Sequence, residues 1–162
     1  MSPKGYSRGQ IALHWLAAGV IAAQFLLEDG ISAAWRAVEG GEAFAFDPLI
    51  LAHVVGGVAV LLMAAWRLAL RFGRGVPDLP VGDPPLQRLV ANLTHIGLYA
   101  LMVVLPITGG VAWFGGIEAM AEVHEVLTTL LLVLVGLHVA AALYHQIWLK
   151  DGLLMRMKRP LD

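Results

Sequence analysis

Four long apolar stretches, each closed by charges, glycine or proline, set the plan of this chain. Ser7-Arg8-Gly9-Gln10 has the Ser-x-x-Gln form of a capping box and leads directly into the apolar run 11–27, which ends at Glu28, Asp29 and Gly30. The segment 29–47 mixes Gly, Ala and Glu and reads as a connection with a short interfacial turn around Trp35. Asp47-Pro48 is an N-cap and N1 pair opening a second run that closes at Arg67 and Arg71. A Gly-, Pro- and Asp-rich loop over 73–85 follows. The third run carries Pro106, where a kink is expected, and a short turn over 115–121 precedes the fourth. The predicted helices span about 10–28, 48–72, 88–114 and 122–149. Each exceeds the roughly 18 apolar residues needed to cross about 30 Å of hydrocarbon. The expected fold is an all-α membrane protein, a bundle of four transmembrane helices forming one domain over 1–162 with no internal repeat.

Composition agrees with the pattern. With 59% hydrophobic residues, 14% charged and a mean hydropathy of +0.74, the chain is too apolar for an ordinary soluble domain. No basic block interleaved with aromatics suggests nucleic acid. The first apolar segment lacks a small-residue cleavage site and continues as a full-length helix, so it is expected to be retained. The absence of cysteine excludes disulfides, thiolate nucleophiles, iron-sulfur clusters and covalently attached haem, leaving histidine as the means of holding a metal cofactor.

Charge orients the bundle. Lys4, Arg8, Arg67, Arg71, Arg74, Arg88, Lys150, Arg156, Lys158 and Arg159, ten of the eleven basic residues, lie on the side shared by both termini and the middle loop. The positive-inside rule makes that side cytoplasmic, so both termini are expected there. The other side holds Arg36 against Glu28, Asp29, Glu39, Glu42, Asp47, Glu118, Glu122 and Glu125.

Six histidines carry the candidate chemistry. On the fourth helix the fourteen steps from His124 to His138 leave the two imidazoles roughly 40° apart around the axis and roughly 21 Å apart along it. They point into the bundle at opposite depths. That is the arrangement needed to hold two stacked haems, each awaiting a second axial ligand from another helix. His53 lies at the outer depth of His124 with no competitor. At the inner depth His138 faces either His14 or His95. His145, seven residues beyond His138, is either an interfacial residue or a quinone site, since an imidazole can donate to a quinone carbonyl and supply a proton. Arg67 either snorkels to the interface or pairs with a haem propionate. Gly56 and Gly57, beside His53, suit helix packing or clearance for a macrocycle, and the five tryptophans read as interfacial belt residues. Transition-metal transport lacks an intramembrane acidic residue to join the histidines. No nucleophile with a positioned base and no phosphate-cradling loop is present, so the chemistry belongs to a cofactor.

Tyr6-Ser7-Arg8-x-Gln10 leading into His14-Trp15, His53 with Gly57 and Arg67, His95 with Pro106, and His124-Glu125 followed by Gly136-Leu137-His138 form an ordered set over nearly the whole length. On these residues the chain resembles the bacterial cytochrome b561 family of four-helix di-haem membrane cytochromes. The resemblance implies two haem b groups in the bacterial inner membrane, the inner one on His14 and His138 and the outer one on His53 and His124. It further implies electron transfer between a periplasmic donor and ubiquinone. One branch oxidises superoxide; other relatives are anchors and relays for a periplasmic dehydrogenase or cytochrome. The connection before the fourth helix is shorter here than in the superoxide-oxidising pattern, and the outer loops lack the basic residues that would draw in an anion. An acidic rim repels superoxide and attracts a basic protein surface.

Overall fold

In a computed structural model that describes residues 3–78 and 84–160, the chain forms five α-helices and no strand among the described residues. They are α1 (Arg8–Leu26), α2 (Asp29–Glu39), α3 (Pro48–Gly73), α4 (Pro85–Gly115) and α5 (Glu118–Tyr144). A π-helical turn (His145–Leu149) and a 3₁₀ turn (Leu153–Met157) complete the chain. Helices α1, α3, α4 and α5 with its π turn are each long and apolar enough to cross a membrane. Positions 79–83 of the expected middle loop lie outside the described residues.

The helix starts follow the local chemistry. Ser7 accepts from the Gln10 N–H at 3.2 Å while the Gln10 side chain accepts from the Ser7 N–H at 3.0 Å, completing the expected capping box. Asp47 caps α3 by accepting from the Leu49 N–H at 2.8 Å, with Pro48 at the first helical position. Three boundaries differ from the sequence reading. The connection 29–47 contains a true helix, α2, whose strongly one-sided distribution of apolar residues lays Gly30 and Ala34 inward. Helix α4 starts at Pro85, three residues earlier than expected, because a proline at the first position costs no hydrogen bond. Helix α5 starts at Glu118, whose carboxylate favours the positive end of the helix dipole, so Gly116 and Ile117 alone separate α4 from α5. Gly116 adopts a left-handed φ of 63° that ends α4 and permits this reversal.

Packing concentrates on seams. Helix α1 lies along α3, α3 along α4, and α4 along α5, while α2 rests on α3. Leu13, Ala17, Val60, Met63, Ala64 and Met102 form one buried cluster; Leu101, Leu105 and Leu131 form another. At Gly97 a Cβ would stand 2.7 Å from Leu134 Cδ1, a measure of how closely α4 meets α5. Gly56 similarly admits the Gln24 side chain of α1, whereas the Cβ direction of Gly57 opens into free space. Of the two roles foreseen for this pair, Gly56 serves packing and Gly57 leaves room.

Gln10 also donates to the Gly75 carbonyl at 3.0 Å, tying the start of α1 to the end of α3. Gln10→Ala, which removes both arms, is expected to cost about 1–2 kcal/mol. Gln10→Glu, which keeps an acceptor for Ser7 but cannot donate to Gly75, should lose less. Thermal unfolding in detergent measures both.

Candidate functional site

Helices α1, α3, α4 and α5 bring five histidines to two levels. At the level nearer the termini, His14 on α1 stands with its ring centroid 6.1 Å from that of His138 on α5, and His95 on α4 lies 5.3 Å from His138. At the other level His53 on α3 lies 6.4 Å from His124 on α5. All five are partly buried.

These spacings test what the rings can hold. A metal–imidazole nitrogen bond is about 2 Å, so two rings with one metal between them stand roughly 6 Å apart, centre to centre. The pairs His14–His138 and His53–His124 match that separation. Their ring planes meet at 60° and 73°, which axial ligation tolerates because each ring is free to turn about its metal bond. The His95–His138 pair is tighter, and it spans the α4/α5 seam, where the Gly97–Leu134 contact leaves no width for a flat macrocycle. Between the two inner candidates left open by the sequence, His14 is therefore the better fit. No cluster of three or more His, Asp or Glu able to hold a bare metal ion occurs among the described residues. Two imidazoles at each level suit a cofactor that brings its own equatorial ligands.

Arg67 stands beside the inner pair. Its Nη2 lies 3.4 Å from His14 Nδ1 and 3.4 Å from the Tyr99 hydroxyl, both at the weak limit of hydrogen bonding, with the guanidinium carbon 5.6 Å above the Tyr99 ring. Its Nε and Nη1 are buried without a partner among the described residues. A guanidinium leaves donors unpaired in such a place only at considerable cost, and a carboxylate is the group its fork matches. An Arg67–carboxylate pair would also release His14 Nδ1 to carry a proton, as coordination through Nε2 requires. A haem propionate fits that demand.

His124 is held differently. Its Nδ1 lies 3.0 Å from the Leu105 carbonyl and 3.3 Å from Thr108 Oγ1 on α4. Gly109 provides the clearance, since a Cβ there would stand 2.9 Å from His124 Cε1. His53 Nδ1, on the opposite side of the pair, is buried without a partner among the described residues.

His145 sits apart from both pairs, on the π turn that ends the last span. That widened turn draws it inward to 8% exposure while its neighbour Trp148 stays 69% exposed. Left-handed φ angles at Lys150 and Gly152 reverse the chain and bring Asp151 back to His145 Nδ1, at 2.5 Å. Asp151 also accepts from the Leu153 N–H, Trp15 Nε1 donates to the Met157 carbonyl, and Arg156 donates to the Asp78 carbonyl. The C-terminal segment is thereby strapped under the bundle. Sequence reasoning missed Asp151 as a partner of His145, although Lys-Asp-Gly after an apolar helix is a turn signal that returns a carboxylate toward the helix end. It also missed Thr108, for which nothing but its place on the face turned toward α5 gives a clue.

Residues 5–160 match the family model described as prokaryotic cytochrome b561. Cytochrome b562 of Cereibacter sphaeroides is 37% identical over 156 residues, covering 96% of each chain, so the two align almost without gaps. The probable superoxide oxidase CybB of Yersinia pestis is 29% identical over 178 residues, covering 95% of this chain and 96% of the relative. Cytochrome b561 homolog 1 of Escherichia coli K12 is 27% identical over 176 residues, covering 94% and 96%. These two alignments run longer than this chain, so both relatives carry stretches that it lacks.

Burial alone would raise the Asp151 carboxyl; hydrogen bonds from His145 and the Leu153 N–H, with the nearby charges of His145 and Arg156, outweigh it and hold the group below its ordinary value. A depressed carboxylate stabilises the fold above its unfolded pKa, about 3.9, and that contribution is lost as pH falls through the lower folded value. Amide exchange over 150–157 is accordingly expected to quicken below about pH 4. Asp151→Asn should exchange fast throughout, with no such step.

Proposed function

The chain belongs to the prokaryotic cytochrome b561 family, and from that membership we propose that it holds two haem b groups and moves electrons between a periplasmic donor and the membrane quinone pool. Membership makes it a multi-pass bacterial membrane haem protein of electron transfer. The observation that carries the finer reading is the pair of imidazole pairs at two depths, 6.1 and 6.4 Å between ring centroids. In this reading His14 and His138 are axial ligands of the inner haem and His53 and His124 of the outer. The membrane is the bacterial inner membrane, with both termini cytoplasmic, on the strength of the basic residues gathered on that side.

Haem b, when bound, would supply a reversible one-electron couple, with His14 and His138 holding one group and His53 and His124 the other. The protein's own groups do the rest. Arg67 holds a propionate through its unpartnered nitrogens. In its doubly protonated form His145, held at Nδ1–H by Asp151, has an Nε2–H to pass to a ubiquinone carbonyl at the cytoplasmic end of the last span. Asp151 lies at the solvent edge, its side chain 20% exposed, from which a proton can be replaced. Two electrons and two protons convert the quinone to quinol.

The named activity of the Yersinia relative supports superoxide as donor: two superoxide anions would yield two molecules of dioxygen as one quinone becomes quinol. A second reading, an electron relay or anchor for a periplasmic dehydrogenase or cytochrome, is favoured by the outer charge, a single Arg36 among eight acidic residues. The near-gapless alignment with the Cereibacter cytochrome b562, beside the longer superoxide oxidase, supports it too.

His124→Ala and His138→Ala are each expected to remove about one haem, read by pyridine haemochrome per protein; retention of both haems in either variant overturns the ligand assignment. Purified protein given a superoxide source should show haem reduction, followed by reoxidation on adding ubiquinone. Inertness to superoxide with rapid reduction by a basic cytochrome selects the relay.

A further inference from the structure

Of the four proposed axial ligands, His124 alone has a carbonyl oxygen within hydrogen-bond distance of a ring nitrogen among the described residues. A carbonyl can only accept, so the His124 Nδ1 must carry the proton and Nε2 must present its lone pair. Thr108 supports the same tautomer. Its hydroxyl donates to the Val104 or Leu105 carbonyl, at 3.1 and 3.0 Å, which leaves an oxygen lone pair to accept from Nδ1 at 3.3 Å. The N–H is thus shared between two acceptors on one turn of α4, immediately around Pro106. Gly109 on the next position leaves the width for the ring to reach them. His53, the other member of the pair, receives no such fixing, since its buried Nδ1 has no partner.

We infer that Thr108, with the Leu105 carbonyl, is a positioning residue that fixes His124 in its Nε2-donating tautomer and lowers the reduction potential of the outer haem relative to what an unsupported imidazole would give. The physical reason is that hydrogen bonding at Nδ1–H pushes electron density toward Nε2, making the ring a stronger donor that favours the oxidised metal. One face of the outer haem is held by a strengthened ligand on α5 and the other by an unassisted ligand on α3. Potential is therefore adjustable on α4 without touching either ligand.

The inference rests on His124 being an axial ligand, which haem counting in His124→Ala tests separately. Thr108→Val keeps the shape and removes the hydroxyl; Thr108→Ser keeps the hydroxyl. Redox titration of the purified di-haem protein should show one midpoint potential raised in Thr108→Val with the second unmoved, and the raised one restored in Thr108→Ser. The low-spin electron paramagnetic resonance signal of the same haem should shift with it. If the valine variant loses haem, loss of about one equivalent with retention in Thr108→Ser supports the assignment. Lower thermal stability with both potentials unmoved reduces Thr108 to a helix-bending residue and overturns the inference, as does an equal shift of both.

Discussion

A polar group inside hydrocarbon has no water to turn to, and this shortage of partners governs the bundle more than any apolar contact does. Lipid tails are as apolar as leucine, so the helices gain little by hiding leucine from them. What needs hiding is the set of imidazoles and the Arg67 guanidinium. Each histidine pair joins α5 to the α1/α3 half of the bundle. Helix α4 contributes the carbonyl and hydroxyl that hold His124 and the tyrosine under Arg67. The helix nearest to α5 thus works as a support, while α1 and α3 supply the imidazoles that face those of α5.

The two levels are built for different neighbours. At the outer one the ligands stand beneath an acidic rim, with α2 lying across the end of α3. At the inner one basic residues surround the helix ends, and the C-terminal strap closes under the bundle through Trp15, Asp78 and Asp151. The π turn draws the His145 imidazole inward at the end of the last span.

The four long spans, their helix starts and the two histidine levels were legible from the chain alone. Apolar length, capping residues such as Ser7 and Asp47, and the fourteen-residue spacing of His124 and His138 are local or periodic quantities that one strand of letters carries completely. Basic residues gathered on one side gave an orientation for the same reason. Family resemblance rested on the same residues and was met by the match over 5–160. Local signals also misled at boundaries: Glu28 and Asp29 read as the end of one helix when they begin another, and 118–121 read as a turn when it is the first turn of α5.

What remained for tertiary structure was every question of which groups meet across helices. His14 and His95 lie at one depth, and only the widths of the α1/α5 and α4/α5 gaps separate them as partners of His138. The Leu105 carbonyl has no letter of its own, so its bond to His124 is invisible until α4 and α5 are set side by side. Asp151 meets His145 because two residues between helix and strap take left-handed angles, one of them a lysine. Sequence thus determined which groups are present and at what depth, because rise along a helix is fixed. Rotation and spacing between helices depend on side chains from distant parts of the chain packing together, and those set how closely the imidazoles face one another.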